Sequence, residues 1–127
     1  EDPAVACRCA LRAEENLRAR MNELNERRLA AEQPVTTAYI GLHIGEVFYG
    51  NIGSFDRLDF TVVGPAVNET SRIASMCRSV DRPILVSSTF AAALPADERA
   101  RLVSVGRCAL RGVGKAQDLF TIDPELL

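Results

Sequence analysis

Asn68 and Arg72, an asparagine and an arginine four residues apart, have types and a spacing that could do chemistry. They follow Pro65, which has a helix-ready φ at a first-turn position that needs no N–H, so a helix is predicted to begin there. Residues four apart share one face of a helix, so Asn68 and Arg72 should point toward the same place. An amide beside a guanidinium is well suited to binding a polyphosphate. The alternative is a solvated helix face on which Glu69 or Asp59 holds the arginine.

The elements that must position this helix are strands. Alternating apolar residues at Tyr39–Ile44 and Val47–Ile52, separated by Gly45-Glu46, predict a β-hairpin. A third strand is predicted over Leu58–Val63, directly ahead of the helix, which should end near Val80. The pair Asn68 and Arg72 would therefore lie at the mouth of a sheet.

The order of these motifs resembles a known family. The run GLHIGEVFYGNIG, then DFTVVGPAVN and an arginine four residues later, is similar to the catalytic domain of class III nucleotidyl cyclases, the adenylate and guanylate cyclases. The similarity extends from about Pro3 to about Phe120. It implies one partial catalytic domain over residues 1–127, of class α/β (α+β). Its ferredoxin-like sheet would have helices packed on it and would lack the first strands of the domain.

The resemblance also implies roles for single residues. In this family the 3′-hydroxyl of the nucleotide attacks its own α-phosphate; Arg72 matches the transition-state arginine and Asn68 the asparagine that orients the ribose. Arg111 stands where the family places a cation that meets the outer phosphates, whereas Lys115 in the same loop is better explained as a surface charge. Thr61 stands at the base-selecting position, as in a bacterial subgroup that uses ATP, and its hydroxyl can accept a hydrogen bond from the adenine amino group. The alternative is that Thr61 is only a β-branched strand residue.

Two Mg²⁺ or Mn²⁺ ions are further implied, held in the family by aspartates from strands ahead of the long helix. No aspartate of this chain matches those positions, so no metal ligand is assigned to it. The matching residues Thr61, Asn68, Arg72 and Arg111 imply that the parent protein is an adenylate cyclase, which forms cyclic AMP and pyrophosphate from ATP. Because no metal ligand is assigned to this segment, we expect the segment alone to be inactive. The alternative is a cyclase-derived nucleotide-binding or dimerisation module without catalysis.

The expected partners are ATP and a second copy of the chain. The family's active sites form between two subunits, which implies a homodimer, and an incomplete sheet predicts an exposed apolar surface or strand edge. A net charge of −2 with mixed signs produces no positive electrostatic field that would attract nucleic acid or an anionic membrane. Without a membrane-spanning apolar run or a signal-peptide pattern, we expect a cytoplasmic domain with no direct membrane contact, although other segments of the parent could attach it to a membrane.

A long helix over residues 1–32 should open the chain, capped by Asp2 and packed across the sheet, with a coiled coil as the weaker alternative. Its predicted apolar stripe consists of Ala6, Cys9 or Ala10, Ala13, Leu17, Met21 and Leu24. The predicted later elements are a strand at Ile84–Val86, a helix from Ser87 or Ser88 to Leu94, a helical turn within Pro95–Arg101, and strands at Val103–Leu110 and Asp118–Ile122. The four cysteines, Cys7, Cys9, Cys77 and Cys108, form no CxxC pair and are predicted to be buried, reduced thiols.

Overall fold

Helices and strands interleave along the chain, as the sequence predicts for a mixed α+β domain. The computed structural model describes residues 2–53, 59–112 and 114–126. The helices are α1 (Pro3–Ala30), α2 (Pro65–Ser79), α3 (Ser88–Ala93) and α4 (Ala96–Arg99), with a final 3₁₀ turn at Pro124–Leu126. The strands are β1 (Ile40–Leu42), β2 (Phe48–Ile52), β3 (Asp59–Val63), β4 (Ile84–Ser87), β5 (Leu102–Cys108) and β6 (Gln117–Ile122).

Four of these strands form the main sheet in the order β1-β4-β6-β5. β1 runs parallel to β4, with Ile40 opposite Ile84, and β6 is antiparallel to both of its neighbours. Two parallel strands cannot be joined by a tight turn, so the chain between β1 and β4 makes a long crossover that contains α2. This crossover brings the start of α2 to the end of the sheet at which β1 finishes.

The predicted hairpin between Tyr39–Ile44 and Val47–Ile52 is wrong. β2 pairs instead with β3 in an antiparallel sheet of its own, with Phe48 opposite Val63. β4 is buried at all four positions and gives β1 a partner inside the core, which a local hairpin could not provide. The predicted third strand is confirmed over Asp59–Val63, and its predicted first residue, Leu58, lies outside the described residues.

The core has two parts, one on each face of the main sheet. Ile84 and Val86 of β4 pack with α1 and α3, whereas Leu85 between them packs with Ile73 and Cys77 of α2. Successive side chains of a strand point to opposite faces, so β4 contributes to both parts. The sheet is therefore covered by α1 and α3 on one face and by α2 on the other.

Helix α1 begins where the sequence predicts, because the Asp2 carboxylate accepts a hydrogen bond from the Ala4 N–H at 3.0 Å. Its buried face, however, is not the predicted one. The buried residues are Cys7, Leu11 and Glu14. Ala6, Cys9, Ala13 and Leu17 are exposed, and Ala10, Met21 and Leu24 are half-buried.

A charged pair explains this error. Arg18 donates to the Glu14 carboxylate at 2.7 Å and to the carbonyl oxygens of Ala38 and Pro83, at 2.9 and 3.1 Å. These carbonyls precede β1 and β4, so the arginine fixes α1 against the start of both strands. Apolar spacing alone cannot identify this face of α1, because the face includes the charged residues Glu14 and Arg18.

A second set of ion pairs joins α1 to α4. Glu98 is 3% exposed and pairs with Arg12 and Arg101 at 3.2 and 3.0 Å. Next to it, Arg8 pairs with Asp97 at 3.2 Å. A buried carboxylate needs such partners, because an unpaired buried charge is costly.

The remaining predicted elements are confirmed with small changes in their bounds. Ser87 caps α3, since its hydroxyl oxygen accepts a hydrogen bond from the Phe90 N–H at 3.0 Å. All four cysteines are free thiols; three are buried as predicted, and Cys9 is exposed on the outer face of α1. Burial raises the pKa of the Cys7 and Cys77 thiols above the ordinary value. Of the helices in the described part of the chain, not one is both long enough and apolar enough to span a bilayer.

Candidate nucleotide-binding site

A cavity of about 600 Å³ lies beside the first turns of α2. Asn68 and Arg72 line it from the helix, and Arg111, Gly112 and Gly114 line it from the loop between β5 and β6. The structure thus brings together three of the four predicted site residues, although they come from two distant parts of the sequence.

Two glycines set the position of α2. Gly64 has a φ of 139°, a conformation that side chains disfavour, and its carbonyl accepts the first hydrogen bonds of the helix, including one from the Asn68 N–H at 3.4 Å. Gly41 in β1 faces the middle of α2, where a Cβ atom would lie 2.6 Å from the backbone nitrogen of Ala74. The absent side chain lets the helix pack directly on the sheet. Because Ile73 takes the buried face, Asn68 and Arg72 are left on the exposed one.

The cavity presents unpaired hydrogen-bond donors. Within residues 2–53, 59–112 and 114–126, the side chains of Asn68, Arg72 and Arg111 make no hydrogen bond or ion pair. Guanidinium groups without a protein partner can donate their hydrogen bonds to a ligand, and phosphate oxygens match their planar fork. This part of the site can therefore bind an anion.

The alternative in which Glu69 holds Arg72 is wrong, because both oxygens of the Glu69 carboxylate are bound elsewhere. Its Oε2 lies 3.0 Å from Nε2 of His43, and its Oε1 accepts a hydrogen bond from Nε2 of Gln117 at 2.5 Å. His43 in turn places its Nδ1 2.7 Å from Oγ of Ser87. His43 falls within the strand predicted over Tyr39–Ile44, and its contact with Glu69 has no signal in the sequence, since the members of this network come from separate elements.

Thr61 and Lys115 do not join this cluster. Thr61 lies on β3 opposite Gly50, is exposed, and is not among the residues that line the cavity. Its assignment to base selection stays a prediction. Lys115 is exposed and also lies outside the cavity lining, in keeping with a surface charge.

The hairpin of β2 and β3 carries an exposed apolar surface, such as the sequence predicts. Phe48 and Tyr49 are each 71% exposed, and Val47, Val62 and Val63 are between 41% and 47% exposed. Apolar residues clustered on a surface are typical of a protein–protein interface. Phe48 lies opposite Val63 on one face of the hairpin, and Tyr49 lies opposite Val62 on the other face. We call these five residues, on both faces of the hairpin, the hairpin surface.

The residues at hand do not fit a divalent metal centre. In the described part of the chain, no group of three or more His, Cys, Asp or Glu side chains could hold a metal ion. Mg²⁺ and Mn²⁺ prefer carboxylate oxygens, and the carboxylate that lines the cavity, Glu69, is already bound by His43 and Gln117.

The sequence of the chain is similar to those of known cyclases. A sequence model described as the adenylate and guanylate cyclase catalytic domain matches residues 10–123. An uncharacterised protein of Mycobacterium tuberculosis is 40% identical over 86 residues, which cover 67% of this chain and 16% of that protein. Adenylate cyclase 1 of Rhizobium meliloti is 29% identical over 117 residues, which cover 92% of this chain and 17% of that protein. The chain thus spans about a sixth of the length of these curated relatives.

Solved structures agree with this comparison. The adenylyl cyclase CyaB from P. aeruginosa superposes with a TM-score of 0.71 at 21% identity, over 87% of this chain and 55% of that one. The guanylyl cyclase Cya2 superposes with a TM-score of 0.62 at 29% identity, over 80% of this chain and 50% of that one. The fold described above is therefore the fold of these catalytic domains.

Proposed function

Since the chain belongs to the adenylate and guanylate cyclase catalytic domain family, we propose that its full-length protein converts ATP into 3′,5′-cyclic AMP and pyrophosphate. This chain would supply the contacts to the ribose and the phosphates. The observation that carries the proposal is the 600 Å³ cavity in which Asn68, Arg72 and Arg111 meet with no partner among the described residues. Two cationic forks and an amide around an open cavity suit a nucleoside triphosphate better than a neutral ligand.

In this reaction the three side chains would mainly stabilise negative charge in the transition state. The 3′-hydroxyl releases its proton to solvent, and its oxygen forms a bond to the α-phosphorus while the bond from that phosphorus to the oxygen shared with the β-phosphate breaks. Negative charge then builds up on the α-phosphoryl oxygens and on pyrophosphate, and preorganised donors lower its energy. Arg72 serves the α-phosphate in this proposal, Arg111 the outer phosphates, and Asn68 the ribose.

ATP is proposed over GTP on the strength of Thr61, whose hydroxyl can accept a hydrogen bond from the adenine amino group. The named relatives support a cyclase but do not choose the base. An adenylate cyclase and a guanylyl cyclase are each 29% identical to this chain. A direct comparison of the two substrates is therefore part of the test below.

The proposed assembly is a homodimer with active sites at the subunit interface. The hairpin surface supports it, because Phe48 and its apolar neighbours would leave water on association. Two Mg²⁺ or Mn²⁺ ions are part of the proposal as a family property. They are assigned to no residue of this chain, because the described residues do not fit them.

The test is product formation by the full-length protein with ATP or GTP, followed by chromatography of the nucleotides. Cyclic AMP formed from ATP, and lost in Arg72→Ala, is the expected result. A second candidate is a nucleotide-binding or dimerisation module without catalysis, which the lack of a metal-binding cluster in the described residues favours. Binding of a non-hydrolysable ATP analogue without any cyclic product would establish that module and overturn the cyclase proposal.

A further inference from the structure

His43 does not line the 600 Å³ cavity, yet it is bound to a residue that does. Its ring is nearly buried, with 6% of the side chain exposed, and its Nε2 lies 3.0 Å from the Glu69 carboxylate. Glu69 follows Asn68 on α2 and lines the cavity beside it. The histidine therefore contacts a carboxylate at the edge of the candidate site.

The contact of His43 with Glu69 prevents an ion pair within α2. Glu69 and Arg72 are three residues apart on the helix, a spacing at which a carboxylate and a guanidinium readily pair. Such a pair would occupy the arginine and would place a carboxylate beside the bound phosphates. The structure avoids it, because His43 takes Oε2 of Glu69 and Gln117 takes Oε1.

The orientation of the imidazole is itself fixed. Ser87 is fully buried, and its Oγ already accepts a hydrogen bond from the Phe90 N–H. Oγ of Ser87 also lies 2.7 Å from Nδ1 of His43. At the other side of the ring Nε2 faces the Glu69 carboxylate, which can only accept a hydrogen bond, so Nε2 donates to it. The imidazole ring is thus held at both of its nitrogen atoms, by Ser87 on one side and by Glu69 on the other.

We propose that His43 is a positioning residue: together with Gln117 it keeps the Glu69 carboxylate away from Arg72, so that the arginine stays available for phosphate. This inference rests on the proposed function, because it takes the ligand of Arg72 to be a phosphate group. His43 and Gln117 do not line the cavity and would act through Glu69, which does. His43, Glu69 and Gln117 would therefore decide phosphate affinity indirectly.

The test is calorimetric binding of inorganic tripolyphosphate to this chain and to four variants. Arg72→Ala should abolish most of the binding. His43→Ala should weaken binding by about fivefold, the size expected for one freed carboxylate near the ligand in a partly solvated site. Glu69→Gln added to His43→Ala should restore the affinity, because the amide that replaces the carboxylate carries no charge. Gln117→Ala, at a half-buried strand end, repeats the test if the first variant does not fold.

The outcomes separate the two levels of the proposal. Failure of the unmodified chain to bind tripolyphosphate, or equal binding by Arg72→Ala, overturns the phosphate site and this inference with it. A phosphate site that depends on Arg72 but is unchanged in His43→Ala and Gln117→Ala overturns the positioning role alone. Weakened binding that Glu69→Gln does not restore also overturns it, because the loss would then come from general damage to the fold.

Discussion

Replacement of Arg72 by alanine should separate function from stability in this protein. The Arg72 side chain is exposed, lines the 600 Å³ cavity and has no partner among the described residues. Its removal leaves no buried group unpaired, so the free energy of unfolding should change by no more than about 0.5 kcal/mol. In the reaction, by contrast, it removes a donor to charge that develops in the transition state. Loss of one such donor costs about 2.7–4 kcal/mol, which is roughly a 10²- to 10³-fold fall in kcat.

The assay is formation of cyclic AMP by the full-length protein at several ATP concentrations, with urea denaturation of the same samples. Arg78→Ala is a matched control, since Arg78 lies on the same helix but packs over the Tyr39 ring, 5.7 Å from its centroid, outside the cavity. Arg72→Lys should recover only part of the activity, because an ammonium group has no planar fork. A fall of less than about tenfold in Arg72→Ala, or an equal fall in Arg78→Ala, would refute the role given to Arg72.

Three further outcomes are expected. Gly41→Ala should lower the free energy of unfolding by about 1–3 kcal/mol in urea denaturation, because its Cβ would lie 2.6 Å from the backbone of α2. Gly50 has open space around it, so Gly50→Ala should lower the free energy of unfolding by less. Equal losses in the two variants would contradict the close packing. Phe48→Ser should lower the mass measured by light scattering toward that of one chain, whereas Leu29→Ser, at a similarly exposed position on α1, should leave it unchanged. A mass unchanged by Phe48→Ser would exclude the hairpin surface as the interface. Ellman's reagent should modify Cys9 alone in the folded protein and all four cysteines in denaturant, and rapid modification of a second thiol without denaturant would show that the core opens easily.

Signals confined to a few neighbouring residues were enough to predict most helix and strand positions. Asp2 caps α1, Pro65 opens α2 and Ser87 caps α3, as local side-chain chemistry requires. Asn68 and Arg72 were predicted to share a face because helical spacing alone determines that. Such features need no knowledge of the rest of the fold.

Features that depend on distant parts of the chain were missed. The alternating pattern of residues 39–52 could not show that β1 has its partner in β4, because pairing depends on which strand is buried beside it. The buried face of α1 was misplaced because Glu14 is stabilised by Arg18, which binds carbonyls that lie far along the chain. The contact of His43 with Glu69 likewise exists only once β1 and α2 have been packed together.

The ion pairs between α1 and α4 have a consequence for the lifetime of the folded chain. Arg8 and Arg12 reach Asp97 and Glu98 across separations of 89 and 86 residues. Closing so long a loop costs chain entropy before the contact is made, so we expect these contacts to form late in folding. Interactions made after the folding barrier act almost wholly on the rate of opening. The arginines at the start of α1 would therefore have little effect on the folding rate. They would instead slow unfolding and so lengthen the time that each molecule stays folded.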